Sequence, residues 1–168
     1  DNNELKVSFF EPTQVIDHTS PLILDEVKLQ GNVLISSGSL IVVGPTSKIN
    51  DAILMAPRII VESGFTGSIQ AFASERILIE SASKLVYPSA LVLQPIGLEK
   101  VASLTISESA AIKGTILILN HREKDDKAPQ LLLENGAKLV GEVYNEGSTG
   151  LYGTILGTIM TKTFQTKS

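Results

Sequence analysis

Apolar residues in this chain come in short bursts of about three to five, separated by Gly, Ser, Asn and charged residues. One burst, Arg58-Ile59-Ile60-Val61-Glu62-Ser63, returns as Arg76-Ile77-Leu78-Ile79-Glu80-Ser81, and Leu40-Ile41-Val42-Val43 precedes both. Ser103-Leu104-Thr105-Ile106-Ser107 and Gln130-Leu131-Leu132-Leu133-Glu134 continue the series. The starts at 40, 58, 76, 103 and 130 are separated by steps of 18, 18, 27 and 27. Nine residues after each start stands Ile49, Gly67, Leu85, Ile112 or Leu139. Just beyond comes another short strand, as in Gly114-Thr115-Ile116-Leu117-Ile118 and Gly141-Glu142-Val143-Tyr144-Asn145. Each unit reads strand, small-residue corner, strand, corner.

Short alternating apolar runs are a strand signal, and a fixed period is the mark of a repeat architecture. At about 3.3 Å per residue, 18 residues make one coil with two or three short sides. Ile59 and Val61 face inward, Ile77 and Ile79 would sit above them, and Leu104, Ile106, Leu131 and Leu133 would continue the stacks. One coil cannot bury its own inward face, so several must cooperate. The pattern predicts an all-β, parallel β-helix solenoid with coils of about 18 residues and two loop insertions; the period does not set its hand. A β-sandwich built of hairpins is the competing fold. Against it, Asn-Gly, the strongest hairpin signal, occurs once, at Asn135-Gly136.

The two 27-residue steps carry about nine extra residues each, near 95–102 and 120–129. If register holds, both leave the same corner of consecutive coils and form a ridge, and insertions on one face of a solenoid often serve binding. Ile96, Leu98, Lys100, His121, Arg122 and Lys124 are the candidate partner-binding residues of that ridge; the plainer reading is tolerated surface loops. Residues 1–20 are expected to form an N-terminal cap or extension, with Phe9 and Phe10 plugging the end of the solenoid. The solenoid is expected over 21–160 and a polar tail over 161–168.

Composition narrows the function classes. Hydrophobic residues make up 43% of the 168 and mean hydropathy is +0.21, yet no apolar run approaches the roughly 18 residues of a spanning helix. Aromatics are 5%, with no Trp, so Ile, Leu, Val and Ala must build the core. Eighteen acidic residues against 14 basic ones give a net charge of −4, and the sequence offers no basic run of the kind nucleic-acid binding uses. No nucleic-acid partner is expected. The absence of Cys excludes disulfides and thiolate chemistry. The chain begins at Asp1, from which removal of an N-terminal segment is expected.

Candidate chemistry is thin. Asp17-His18 are adjacent on an extended segment and point to opposite sides, which argues against an acid–base pair. His121 lies in a charged loop, 103 residues from His18. Glu123, Asp125 and Asp126 offer calcium-type oxygens, but Arg122, Lys124 and Lys127 oppose a site and favour a solvated charge run. Glu62 with Glu80, and Arg58 with Arg76, read as an outer ladder of ions. No catalytic residue, cofactor or metal is expected.

The phrases Ile77-Leu78-Ile79-Glu80-Ser81-Ala82, Ala110-Ala111-Ile112-Lys113-Gly114-Thr115-Ile116 and Gly136-Ala137-Lys138-Leu139-Val140-Gly141-Glu142-Val143 resemble bactofilins, bacterial polymer-forming proteins. The similarity covers roughly residues 30–145 in pattern. It implies a right-handed β-helix and end-to-end self-assembly without nucleotide. The chain departs from the family in its two 27-residue units, its long N-terminal segment and its Tyr-Gly-Thr-Ile-Leu-Gly tail. The expectation is a non-enzymatic, homo-oligomeric structural or self-assembling domain of a bacterial envelope or cytoskeletal protein, with the envelope, periplasmic or at the cell surface, favoured over the cytoplasm. Alternatives are a module binding an envelope protein or glycan through the loop ridge, and a carbohydrate-active β-helix enzyme.

Overall fold

The computed structural model describes residues 3–97, 102–119 and 128–166. Over these residues the chain is all β without helix, and every recorded strand pairing is parallel. The repeated bursts set the register. Leu40 pairs with Arg58, Arg58 with Arg76, Arg76 with Ser103, and Leu104 with Leu131. Both the 18-residue and the 27-residue steps therefore bring equivalent residues side by side.

The strands form tiers. The first holds β1 (Glu4–Val7), β2 (Gln14–His18) and β3 (Leu22–Leu24), and the second β4 (Lys28–Gly31), β5 (Val33–Ser37) and β6 (Leu40–Val43). β7 (Lys48–Val61) and β8 (Thr66–Ile79) each run through a whole tier. β9 (Lys84–Leu93) with β10 (Ser103–Ile106), and β11 (Ala111–Ile118) with β12 (Leu131–Leu133), make two more. β13 (Lys138–Leu151) and β14 (Thr154–Gln165) complete the set. Each tier contributes to three columns of paired strands, running from Glu4, Gln14 and Leu22 at one end to Thr154, Gly157 and Thr163 at the other.

Three columns, where the sequence shows two strands per unit, arise because the second burst bends. Pairing shifts between Asn50 and Ala52, between Gly67 and Gln70, and between Ile112 and Gly114. Asp51 takes φ 63° at this corner, and Gly114, Gly141 and Gly157 take φ 157°, 146° and 144° in successive tiers. A Cβ on Gly141 would lie 1.9 Å from the Gly114 carbonyl oxygen, so only glycine lets these backbones approach.

Inward positions stack as aliphatic columns. Ile41, Ile59, Ile77, Leu104 and Leu131 form one register line, and Val43, Val61, Ile79, Ile106 and Leu133 the next, all fully buried. Each such side chain contributes about 1.5–3 kcal/mol by leaving water. At the corner leading back to the first column, Glu26, Gly64, Ala82, Ser109 and Gly136 have φ of 53°, 85°, 59°, 60° and 76°. Ser47 and Ser83, buried just past it, each donate to a carbonyl of the preceding tier, Leu24 and Glu62, at 2.8 Å.

The chain ends join the same sheet. Glu4 pairs with Lys28 but Gln14 with Val33, so the irregular spacing near the N-terminus comes from extra residues in the turn between β1 and β2. Thr163, Phe164 and Gln165, which the sequence places in a polar tail, pair with Ser148, Thr149 and Gly150. Thr163 and Phe164 stay exposed there, so it is backbone pairing with the preceding tier, not burial, that carries the strand past Thr161.

Candidate functional site

The two ends of the tier stack are the first candidate surfaces. Among the described residues, β1, β2 and β3 pair only with the second tier, and β14 pairs only with β13. Both end tiers therefore carry a free strand edge. Leu5, Val7, Ile16 and Leu22 point inward at one end and Ile155 and Ile159 at the other, each half-buried against the core. A free edge with apolar inward side chains is a template for a further strand.

An outward apolar row is the second surface. Met55, Phe72, Val92, Leu117, Tyr144 and Met160 are in register along the middle column, one per tier. Met55, Phe72 and Tyr144 are 43%, 37% and 43% exposed, too much for core and unusually apolar for an outer face. At its N-terminal part, Met55, Phe72, Val92 and Ile96 line an open groove of about 460 Å³ with Pro57 and Ser74. Alternation along each strand, read for its inward set, hides this row; its only sequence signal is that the outward alternates are also apolar.

The candidates from sequence fall as follows. Ile96 is exposed on the rim of the groove. Leu98, Lys100, His121, Arg122 and Lys124 lie outside the described residues, as do Glu123, Asp125, Asp126 and Lys127. Phe9 and Phe10 stand in the turn between β1 and β2, 66% and 102% exposed. His18 is exposed at the end of β2, and the neighbouring Asp17 carboxylate accepts a hydrogen bond from the Ser36 hydroxyl. Among the described residues no three His, Asp or Glu side chains gather as a metal site would require. No helix there is long and apolar enough to cross a membrane.

The stacked acids have a different partner from the one expected. Arg58 and Arg76 pair in register and are exposed, but no salt bridge joins them to Glu62 or Glu80 among the described residues. Glu80 instead accepts the Ser63 backbone N–H at 3.1 Å and its hydroxyl at 3.3 Å. Glu134 does the same for the Glu108 N–H at 3.1 Å. A carboxylate of one tier thus caps the turn of the tier before it.

A buried polar cluster closes the aliphatic stack toward the C-terminus. Asn145 donates to the Ser148 carbonyl at 3.0 Å and to Thr149 Oγ1 at 2.9 Å, and accepts from the Gly147 N–H at 2.9 Å. Gln130 Oε1 accepts the Ser148 N–H at 2.7 Å, and Thr161 Oγ1 donates to the Gly147 carbonyl at 2.9 Å. These side chains satisfy one another and the backbone, the arrangement of a structural network. No protein-family profile, curated protein or solved structure matches the chain.

Proposed function

We propose that the chain is a right-handed parallel β-helix that stacks end to end with copies of itself, as a structural and non-enzymatic element of the bacterial envelope. One observation carries the reading. The first and last tiers both leave a free parallel edge with half-buried aliphatics beneath it, at Leu5, Ile16 and Leu22 and at Ile155 and Ile159. A second copy laid on either edge extends all three columns and buries those side chains, each worth up to about 1.5–3 kcal/mol on full burial. The charges that commonly blunt a free edge are few there: Glu4, Lys6, Asp17 and His18 at one end, Lys162 at the other. The twist of L-strands, which makes crossovers between parallel neighbours right-handed in nearly all folds, supports the right hand. The resemblance to bactofilins supports the assembly, and the Tyr-Gly-Thr-Ile-Leu-Gly tail, which looks like extracytoplasmic parts of bacterial envelope proteins, supports the envelope setting.

The test is light scattering over a concentration series with negative-stain microscopy of the same samples. Growing oligomers or filaments are expected. A monomer at every concentration overturns the reading.

A further inference from the structure

The first column carries a charge pattern that the linear sequence conceals. Lys28 pairs with Lys48, Thr66 with Lys84, Lys84 with Ala111, and Ala111 with Lys138. Asn50 pairs with Ser68, which brings Lys48 level with Thr66. Lys28, Lys48, Lys84 and Lys138 therefore form one outward row. Lys6 and Lys113 stand two residues further along the same face, and all six are exposed. These lysines come from six different tiers, separated in sequence by 20 to 36 residues from one to the next, so no local run betrays them.

Within the strands of this face and at their edge the opposing charges are, among the described residues, Glu4 and Asp51. Glu4 pairs with Lys28 at 3.4 Å, and among the described residues no other lysine of the row has a recorded salt bridge. Asp51, at the edge of the column, is held by the Ser68 hydroxyl at 3.0 Å. Glu80 and Glu134, on the neighbouring corner, are turned to the backbone N–H groups of Ser63 and Glu108. At the N-terminal end, Lys6, Lys28 and Lys48 line a depression of about 150 Å³ with Glu4, which is paired to Lys28, and with Gln30 and Asn50, which add hydrogen-bonding groups beside the charges.

We propose that this face binds a linear acidic polysaccharide lying along the tier axis. Neighbouring strands are about 4.8 Å apart, so Lys48, Lys84 and Lys138, on alternate tiers, repeat every 10 Å or so. That is the scale of one disaccharide step in an extended polysaccharide, and it matches a polymer with one carboxylate per disaccharide. Tyr87 supplies a second glycan feature. It is 78% exposed in the bulge between Leu85 and Ser89, whose partners Ile112 and Gly114 flank Lys113. An exposed phenol ring beside two lysines can stack on a sugar face while its hydroxyl meets the ring oxygens. A nucleic acid fits less well. Duplex DNA carries one charge per about 1.7 Å, far denser than this row, and single strands need a succession of aromatic platforms where this face offers Tyr87.

The face runs parallel to the axis and is complete in one copy, so the proposal stands apart from end-to-end assembly. The experiment is affinity electrophoresis and calorimetry of the dilute, full chain with a hyaluronate oligosaccharide, which has one carboxylate per disaccharide. A neutral cellulose ether, a single-stranded oligonucleotide and vesicles of anionic phospholipid are run in parallel. Hyaluronate is expected to bind, more weakly as salt rises, and the neutral polymer not to bind. K48Q/K84Q/K138Q is expected to weaken binding by about tenfold or more, through lost counterion release. R58Q/R76Q, which removes charge from the third column, is expected to bind as the parent does, with circular dichroism showing both variants folded. Absence of hyaluronate binding at low salt, equal binding by the triple lysine variant, or tighter binding of the oligonucleotide or the vesicles overturns the proposal.

Discussion

The ring of Phe65 fills the space that a side chain on Gly67 would take: a Cβ built on Gly67 would lie 2.6 Å from Phe65 Cζ. In the equivalent line of residues, Ile49, Leu85, Ile112 and Leu139 are all buried aliphatics, and Gly67 alone has no side chain. Phe65, fully buried at the preceding corner, restores the missing volume. Phe65→Ala is expected to destabilise the protein by about 3–5 kcal/mol, the usual cost of a large cavity. Gly67→Ala is also destabilising, because its Cβ meets the Ile49 carbonyl oxygen at 2.4 Å as well as the ring. The two substitutions couple: Gly67→Ala costs less in the Phe65→Ala background, and urea unfolding of the four-member cycle measures the difference.

Asn145 lies in register with Ile118, so its slot continues an apolar column. Asn145→Leu improves the hydrophobic pattern yet is expected to destabilise by about 1–3 kcal/mol, since it strips the Gly147 N–H of its acceptor. An unfolding midpoint at or above that of the parent would show that the network adds nothing.

The left-handed corners give a test in both directions. Ala82 holds φ 59°, where L-residues with a Cβ are strained by about 1–2 kcal/mol, so Ala82→Gly is expected to be neutral or stabilising by up to about 1 kcal/mol. Gly136→Ala, at φ 76°, is expected to cost about 1 kcal/mol. Thermal melts of the two variants should move oppositely, or Ala82→Gly should leave the midpoint unchanged while Gly136→Ala lowers it.

Assembly through the ends has its own signature. Ile16→Lys and Ile159→Lys each place a charge beneath a free edge, where the half-exposed side chain can reach water. Each is expected to shift the light-scattering mass toward monomer with the far-ultraviolet dichroism retained. Unchanged oligomers in both variants would place the contacts elsewhere.

The third column was legible from Leu40 to Leu133 because its inward residues there are aliphatic and its starts keep one phase: Leu40, Arg58, Arg76 and Ser103 are paired neighbours, whereas its last two tiers put Thr149 and Phe164 in the inward line and broke the pattern. The middle column was blurred because its corner is made by Asp51 in one tier and by Gly114, Gly141 and Gly157 in others, so the bend has no single residue signature. The outer surfaces were less legible still. The lysine row and the apolar row each draw one residue from a tier, and their adjacency is a property of pairing rather than of spacing along the chain. Carboxylate capping of turns, as at Glu80 and Ser63, escaped because a charged ladder and a capping ladder share the same sequence pattern.

The corner after the middle column absorbs a lengthened repeat without a trace in the neighbouring strands. Arg76 meets Ser103 and Leu104 meets Leu131 as directly as Leu40 meets Arg58, although the chain between them is half as long again. Register at such a corner is insensitive to the length of chain that passes through it. An epitope or affinity tag spliced between Gly97 and Ala102 is therefore expected to leave the pairing of Arg76 with Ser103 intact.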